Sequence, residues 1–189
     1  MEQALEILLP KMLRVGVGFE IKQFQCKDEL LKRLPERLRG YAAWLPETTV
    51  IVVLVDRDDD DCKLLKQQLE SIALAAGLST KSSLPHGRFR VVNRIAIEEL
   101  ESWFFGDWAA VRAAYPKLDE SIPKKEPYRD PDAIKGGTWE AMERELQRKG
   151  YFKQGLRKME LARTIAQQME PAKNRSASFA CLRETLLLL

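Results

Sequence analysis

The chain has 189 residues, of which 45% are hydrophobic and 31% charged, with a formal net charge of +3. This composition suits an α/β domain with a helical extension and excludes a disordered chain, because apolar runs are spread along its length. The near balance of charge excludes strong overall steering toward nucleic acid while leaving room for a local basic patch, and no apolar run reaches the ~18 residues that a bilayer span needs.

Glu2–Leu13 carries apolar residues at Leu5, Leu8, Leu9 and Met12, which is helical spacing. Phe19–Phe24 alternates with period two and reads as a strand with one buried face. Asp28–Trp44 returns to helical spacing through Leu30, Leu31, Leu34, Leu38 and Tyr41, with Pro35 expected to break or kink it. Val50–Val55 is a run of β-branched and aliphatic residues, expected to be a strand buried on both faces. Cys62–Ala76 follows as an amphipathic helix closed by Gly77.

Ser79–Gly87 reads as a loop, or a short strand followed by one, and Phe89–Val92 as a strand. Ile95–Phe105 reads as a helix carrying Glu98, Glu99 and Glu101, and Asp107–Tyr115 as a second, shorter one. Four prolines between Pro116 and Pro131 mark an excursion with little regular structure. Thr138–Arg148, capped by Thr138, then Leu156–Met169 and Ala177–Leu188 complete the helical reading. The order favours an α/β three-layer sandwich with a mostly parallel central sheet plus a C-terminal helical extension, divided as 1–115 and 116–189.

Three scattered cysteines, Cys26, Cys62 and Cys181, and a lone His86 argue against a zinc site and fit a reducing, cytoplasmic compartment. Glu2 and Glu6 stand where a signal peptide would carry its basic head, so neither a leader nor a membrane partner is expected. His86, in a Pro-His-Gly loop, reads as a surface residue.

The chemistry concentrates after Val55. Ligands of open α/β sheets sit beyond the carboxyl ends of strands, where Asp56 and Asp58 could hold a hard cation such as Mg²⁺ or Mn²⁺ with Asp60 beside them. Asp residues also favour turns and helix caps, so one of Asp59, Asp60 and Asp61 is expected only to cap the Cys62 helix. Glu101, next to Ser-Trp-Phe-Phe, is the expected companion ligand or general base. Arg94 is the best-placed phosphate binder, with Arg57, Arg88, Arg175 and Ser176 as further candidates.

Ile-Val-Val-Leu-Val-Asp-Arg-Asp at 51–58 and Asn-Arg-Ile-Ala-Ile-Glu-Glu-Leu-Glu-Ser-Trp-Phe-Phe-Gly-Asp at 93–107 resemble the DUF4276 family, as do the segments 128–133 and Asn174-Arg175-Ser176. That family looks like a relative of Toprim-fold proteins. The resemblance implies a metal site in which Asp56 and Asp58 match an Asp-x-Asp motif and Glu101 a Glu-x-Trp motif, with Asp107 closing the segment. It also implies an ATPase protein partner. A Toprim-like chain is expected to open on a hydrophobic strand ending in glutamate, whereas this one opens in the helix that should follow, with Glu2 near the corresponding end. The expected function is a Mg²⁺-dependent nuclease or related phosphoryl-transfer protein acting on nucleic acid, with phage defence as its expected setting. The alternatives are a non-catalytic subunit or regulator of an ATPase-containing complex and a nucleic-acid-binding module without catalysis.

Overall fold

The structure is a computed structural model that describes residues 1–84, 87–155 and 157–189. Helix accounts for 54% and strand for 7% of it. Two strands form among the described residues, β1 (Ile51–Asp56) and β2 (Val91–Ala96), and they pair as one two-stranded sheet. The expectation of a three-layer sandwich around a mostly parallel, Toprim-like sheet is therefore corrected: the fold is predominantly helical.

The physical reason lies in three segments. Phe19–Phe24 has the alternation of a strand but forms none; Phe24 packs instead beside the helical core that follows it. A period-two pattern makes a strand only where another edge supplies hydrogen bonds. The β1 run is not buried on both faces. Val53 and Val55 are buried, while Ile51, Val52 and Leu54 are half-buried, as suits a strand in a small sheet. The glutamate-rich segment begins its helix only at Glu101, after β2 has extended through Ala96.

The chain divides into two compact units, residues 22–95 and residues 1–21 with 96–189. The first unit is built from α2 (Lys27–Trp44), β1, α3 (Cys62–Ala75) and β2. Leu30, Leu34 and Leu38 of α2 and Leu65, Leu69 and Ala73 of α3 join Val53, Val55 and Val91 in one core cluster. The i, i+4, i+8 spacing on both helices puts these side chains on one stripe each. Helix α2 runs through Pro35 without ending. Asp61 is the residue that caps α3, its Oδ1 accepting from Lys63 N at 2.8 Å and Leu64 N at 2.9 Å, and Gly77 follows the helix at φ +76°.

In the second unit α1 (Glu2–Met12) packs against α7 (Lys158–Gln168), which also meets α5 (Trp108–Ala114). The short α4 (Glu101–Gly106) is buried along its whole length and touches α5 and α6 (Thr138–Arg148). Trp103 of α4 meets Phe179 of α8 (Ala177–Leu186) edge to face at 5.2 Å. The proline-rich excursion is organised as three short 3-10 turns.

Polar side chains fasten these helices. Lys11 Nζ donates to the carbonyls of Ala166, Gln167 and Met169 at the end of α7. The Asp132 carboxylate accepts from Ser176 Oγ at 2.7 Å and Ser178 N at 2.8 Å. Trp103 Nε1 donates to Ser178 Oγ, and Asn174 Nδ2 to the Trp103 carbonyl. Gly106 is required by this packing, since a Cβ there would collide with the Asn174 side chain and the Ser176 backbone.

Candidate functional site

The acidic loop after β1 is neutralised by the chain itself. Lys27, the first residue of α2, places Nζ 2.7 Å from Asp58 Oδ2, 2.8 Å from Asp60 Oδ2 and 2.8 Å from the Arg57 carbonyl. An ammonium has three N–H donors, and these three acceptors match them. Burial acts to lower the Lys27 pKa, but the hydrogen bonds and charges of Asp58 and Asp60 outweigh it and hold the ammonium above its ordinary value. Asp58 takes φ +50°, a left-handed conformation that Asp tolerates better than most residues. Asp56 ends β1 half-buried, and Asp59 is exposed.

Arg94 is half-buried on β2, with Nη1 donating to the Asn93 carbonyl at 3.0 Å. Arg57 Nε turns back to the Asp58 carbonyl, and Arg88 reaches the carbonyl and carboxylate of Glu47. Beside them, Glu70 accepts from Lys66 at 2.8 Å and from Asn93 Nδ2 at 3.0 Å. Burial would raise the Glu70 pKa, but the hydrogen bonds from Lys66, Thr80 and Asn93 together with the Lys66 charge bring it below the ordinary value.

Glu101 belongs to the other unit, where it opens α4 and is 8% exposed. Burial pushes its pKa up and the charge of Glu99 adds to this, against a hydrogen bond from its own backbone and the charges of Lys158 and the N-terminal amino group. Glu99 serves the packing of α6, with Oε2 accepting from Thr138 Oγ1 and Trp139 N, both at 3.0 Å. The cap expected from Thr138 is thus supplied by Glu99, and Gly137 holds the N-cap position of α6. Asp107 caps α5 through Oδ1 and accepts from Glu170 N through Oδ2. Ser176 is the buried cap of α8 and Arg175 is exposed. His86 lies outside the described residues.

Among the described residues, no group of three or more His, Cys, Asp or Glu side chains is arranged to hold a metal ion. Asp56, Asp58 and Asp60 lie in one unit and Glu101 in the other. The Mg²⁺-dependent nuclease reading is corrected on the absence of such a group and of a Toprim-like sheet among the described residues.

A different surface stands out on α2. Arg33, Glu36, Arg37, Gly40, Tyr41 and Trp44 line a shallow groove of about 530 Å³. Their spacing places them on one side of the helix, next to the buried leucine stripe. The Arg37 guanidinium lies 4.8 Å over the Phe24 ring, and Tyr41 meets Trp44 edge to face at 5.8 Å. Trp44 is 67% exposed although it is the largest apolar side chain on the helix. Gly40 stands inside a helix, where glycine costs about 1 kcal/mol relative to alanine, and the space its Cβ would take is open. Lys32 and Arg39 are exposed on the adjoining face. The leucines of this helix dominate its sequence pattern; the arginine and aromatic positions are equally visible at helical spacing on the flank beside them.

The family profile for DUF4276, a domain of unknown function, matches residues 1–187. The chain belongs to the DUF4276 family. No curated protein and no solved structure matches it. Membership of DUF4276 is as far as the resemblance carries, and the extension from it to the Toprim fold is withdrawn with the sandwich. No described helix of this DUF4276 protein is long and apolar enough to cross a membrane.

Proposed function

We propose that this DUF4276 protein binds nucleic acid, holding a single strand along the α2 groove. The observation that carries the reading is the exposed Trp44 beside Tyr41, in line with Arg37 and Arg33. Single-stranded nucleic acid is held by aromatic faces that stack on bases and by cations that follow the backbone. The open notch at Gly40 lets a flat group approach the helix backbone between Arg37 and Trp44. Arg37 and Arg33 supply the charge, Arg33 sharing its guanidinium with Glu29 Oε1 at 3.2 Å, and Lys32 and Arg39 are exposed beside them. A cytoplasmic location belongs to the same reading, supported by Cys26, Cys62 and Cys181 being carried as thiols.

Fluorescence anisotropy with a labelled oligothymidylate at low salt tests it. The expected result is saturable binding that Trp44→Ala weakens roughly 5- to 100-fold, the equivalent of one lost stacking contact. Absence of binding by the wild type, or an unchanged Trp44→Ala variant, overturns the proposal. Equal competition by polyglutamate would also overturn it, because that chain has charge but no aromatic faces, and would point to an acidic protein ligand.

A further inference from the structure

Helix α3 carries a second unusual surface, on the side away from the core. Its charged residues Lys63, Lys66 and Glu70 lie together on one flank, where Lys66 and Glu70 pair with each other. Leu65, Leu69 and Ala73 face the core. The remaining exposed positions are Leu64, Gln67, Gln68, Ser71, Leu74 and Ala75, and none is charged. Leu64 is 66% and Leu74 51% exposed. In a chain with 31% charged residues, a solvated helix face ordinarily carries charge.

The face has internal symmetry. Leu64, Gln67, Ser71 and Leu74 follow at spacings of three, four and three, the a/d spacing of a helix that packs along its length against another. Leu64 and Leu74 lie equally far from the midpoint at Leu69, as do Gln67 and Ser71. Two copies of α3 crossing antiparallel about a two-fold axis that passes between Gln67 and Ser71, at the level of Leu69 but on the opposite side of the helix, therefore bring Leu64 of each onto Leu74 of the other. The same axis brings each Gln67 amide to the Ser71 hydroxyl of its partner, so the polar centre is satisfied as the leucine ends lose water. An uncharged face meets no repulsion from its own copy, and a two-fold contact requires one patch to complement itself.

We infer that the exposed face of α3 binds a second copy of this chain through an antiparallel helix pair. A helix of 14 residues is about 21 Å long. A stable interface buries on the order of 800 Å² per partner, more than one such helix pair offers, so association is weak and rises with concentration.

Sedimentation velocity on the full chain from micromolar to millimolar concentration tests this. The wild type is expected to shift toward twice its 21.7 kDa mass. Leu64→Lys and Leu74→Glu are each expected to hold the chain monomeric, since each sets a lone charge against a leucine of the partner. The double variant is expected to associate again, because each new lysine then faces the partner's new glutamate. Both substitutions are at exposed helix positions and use good helix formers, so circular dichroism should be unchanged. A wild type that stays monomeric overturns the inference. Association that survives both single variants, or that the double variant fails to restore, overturns it as well.

Discussion

Lys27 Nζ lies 2.7 Å from Asp58 Oδ2, so the first residue of α2 supplies the cation that the loop after β1 requires. A positive charge at a helix N-terminus opposes the helix dipole. Asp58 and Asp60 compensate that opposition while Lys27 relieves their mutual repulsion. The acidic cluster and the start of α2 are one ion-paired unit.

Replacing Lys27 with Met is expected to destabilise the fold by about 1 kcal/mol, a modest value because Asp58 and Asp60 remain half-exposed to screening solvent. The Lys27 pKa is raised in the folded state, so its contribution is complete below the unfolded lysine value, about 10.4. It is lost as pH rises through the folded value. Urea denaturation at neutral and alkaline pH should show the difference between wild type and Lys27→Met closing at the alkaline end.

Glu101 behaves in the opposite sense. Its folded pKa is raised, burial being the largest cause. Ionisation therefore costs stability as pH climbs from the unfolded glutamate value through the folded one. Glu101→Gln keeps the shape and removes the charge. It is expected to raise the melting temperature at pH 7 and to leave it unchanged at pH 3, as differential scanning calorimetry would show.

Asp132 joins the turn after Asp130 to the start of α8. Asp132→Ala strands the Ser178 N–H and frees the buried Ser176 and Ser178 hydroxyls from their acceptor. The expected cost is about 1.5–3 kcal/mol, the range for hydrogen bonds to a charged group. Asp132→Asn, which retains one acceptor oxygen, should recover part of it in the same denaturant titration.

Arg33 and Arg37 set the salt dependence of the proposed nucleic-acid binding. For single strands each neutralised phosphate contributes about 0.7 to the slope of log K against log salt. Changing both arginines to Gln should flatten that slope by about 1.4, whereas Trp44→Ala should lower affinity with the slope unchanged. Anisotropy titrations over a range of salt would separate the two effects.

The helices were legible because their information is local. Leu30, Leu34 and Leu38 repeat at helical spacing, and Asp61 stands directly before Cys62 with the side chain that a cap needs. β1 was legible from its β-branched run, although its burial was not, since that depends on how many neighbours a strand finds. Phe19–Phe24 shows the limit: alternation marks a segment fit to pair, and only the fold decides whether an edge is there to receive it. The aspartates after Val55 were equally visible as a source of negative charge. Which cation answers that charge is a matter of three-dimensional proximity, and the tertiary structure places the Lys27 ammonium among Asp58, Asp60 and the Arg57 carbonyl.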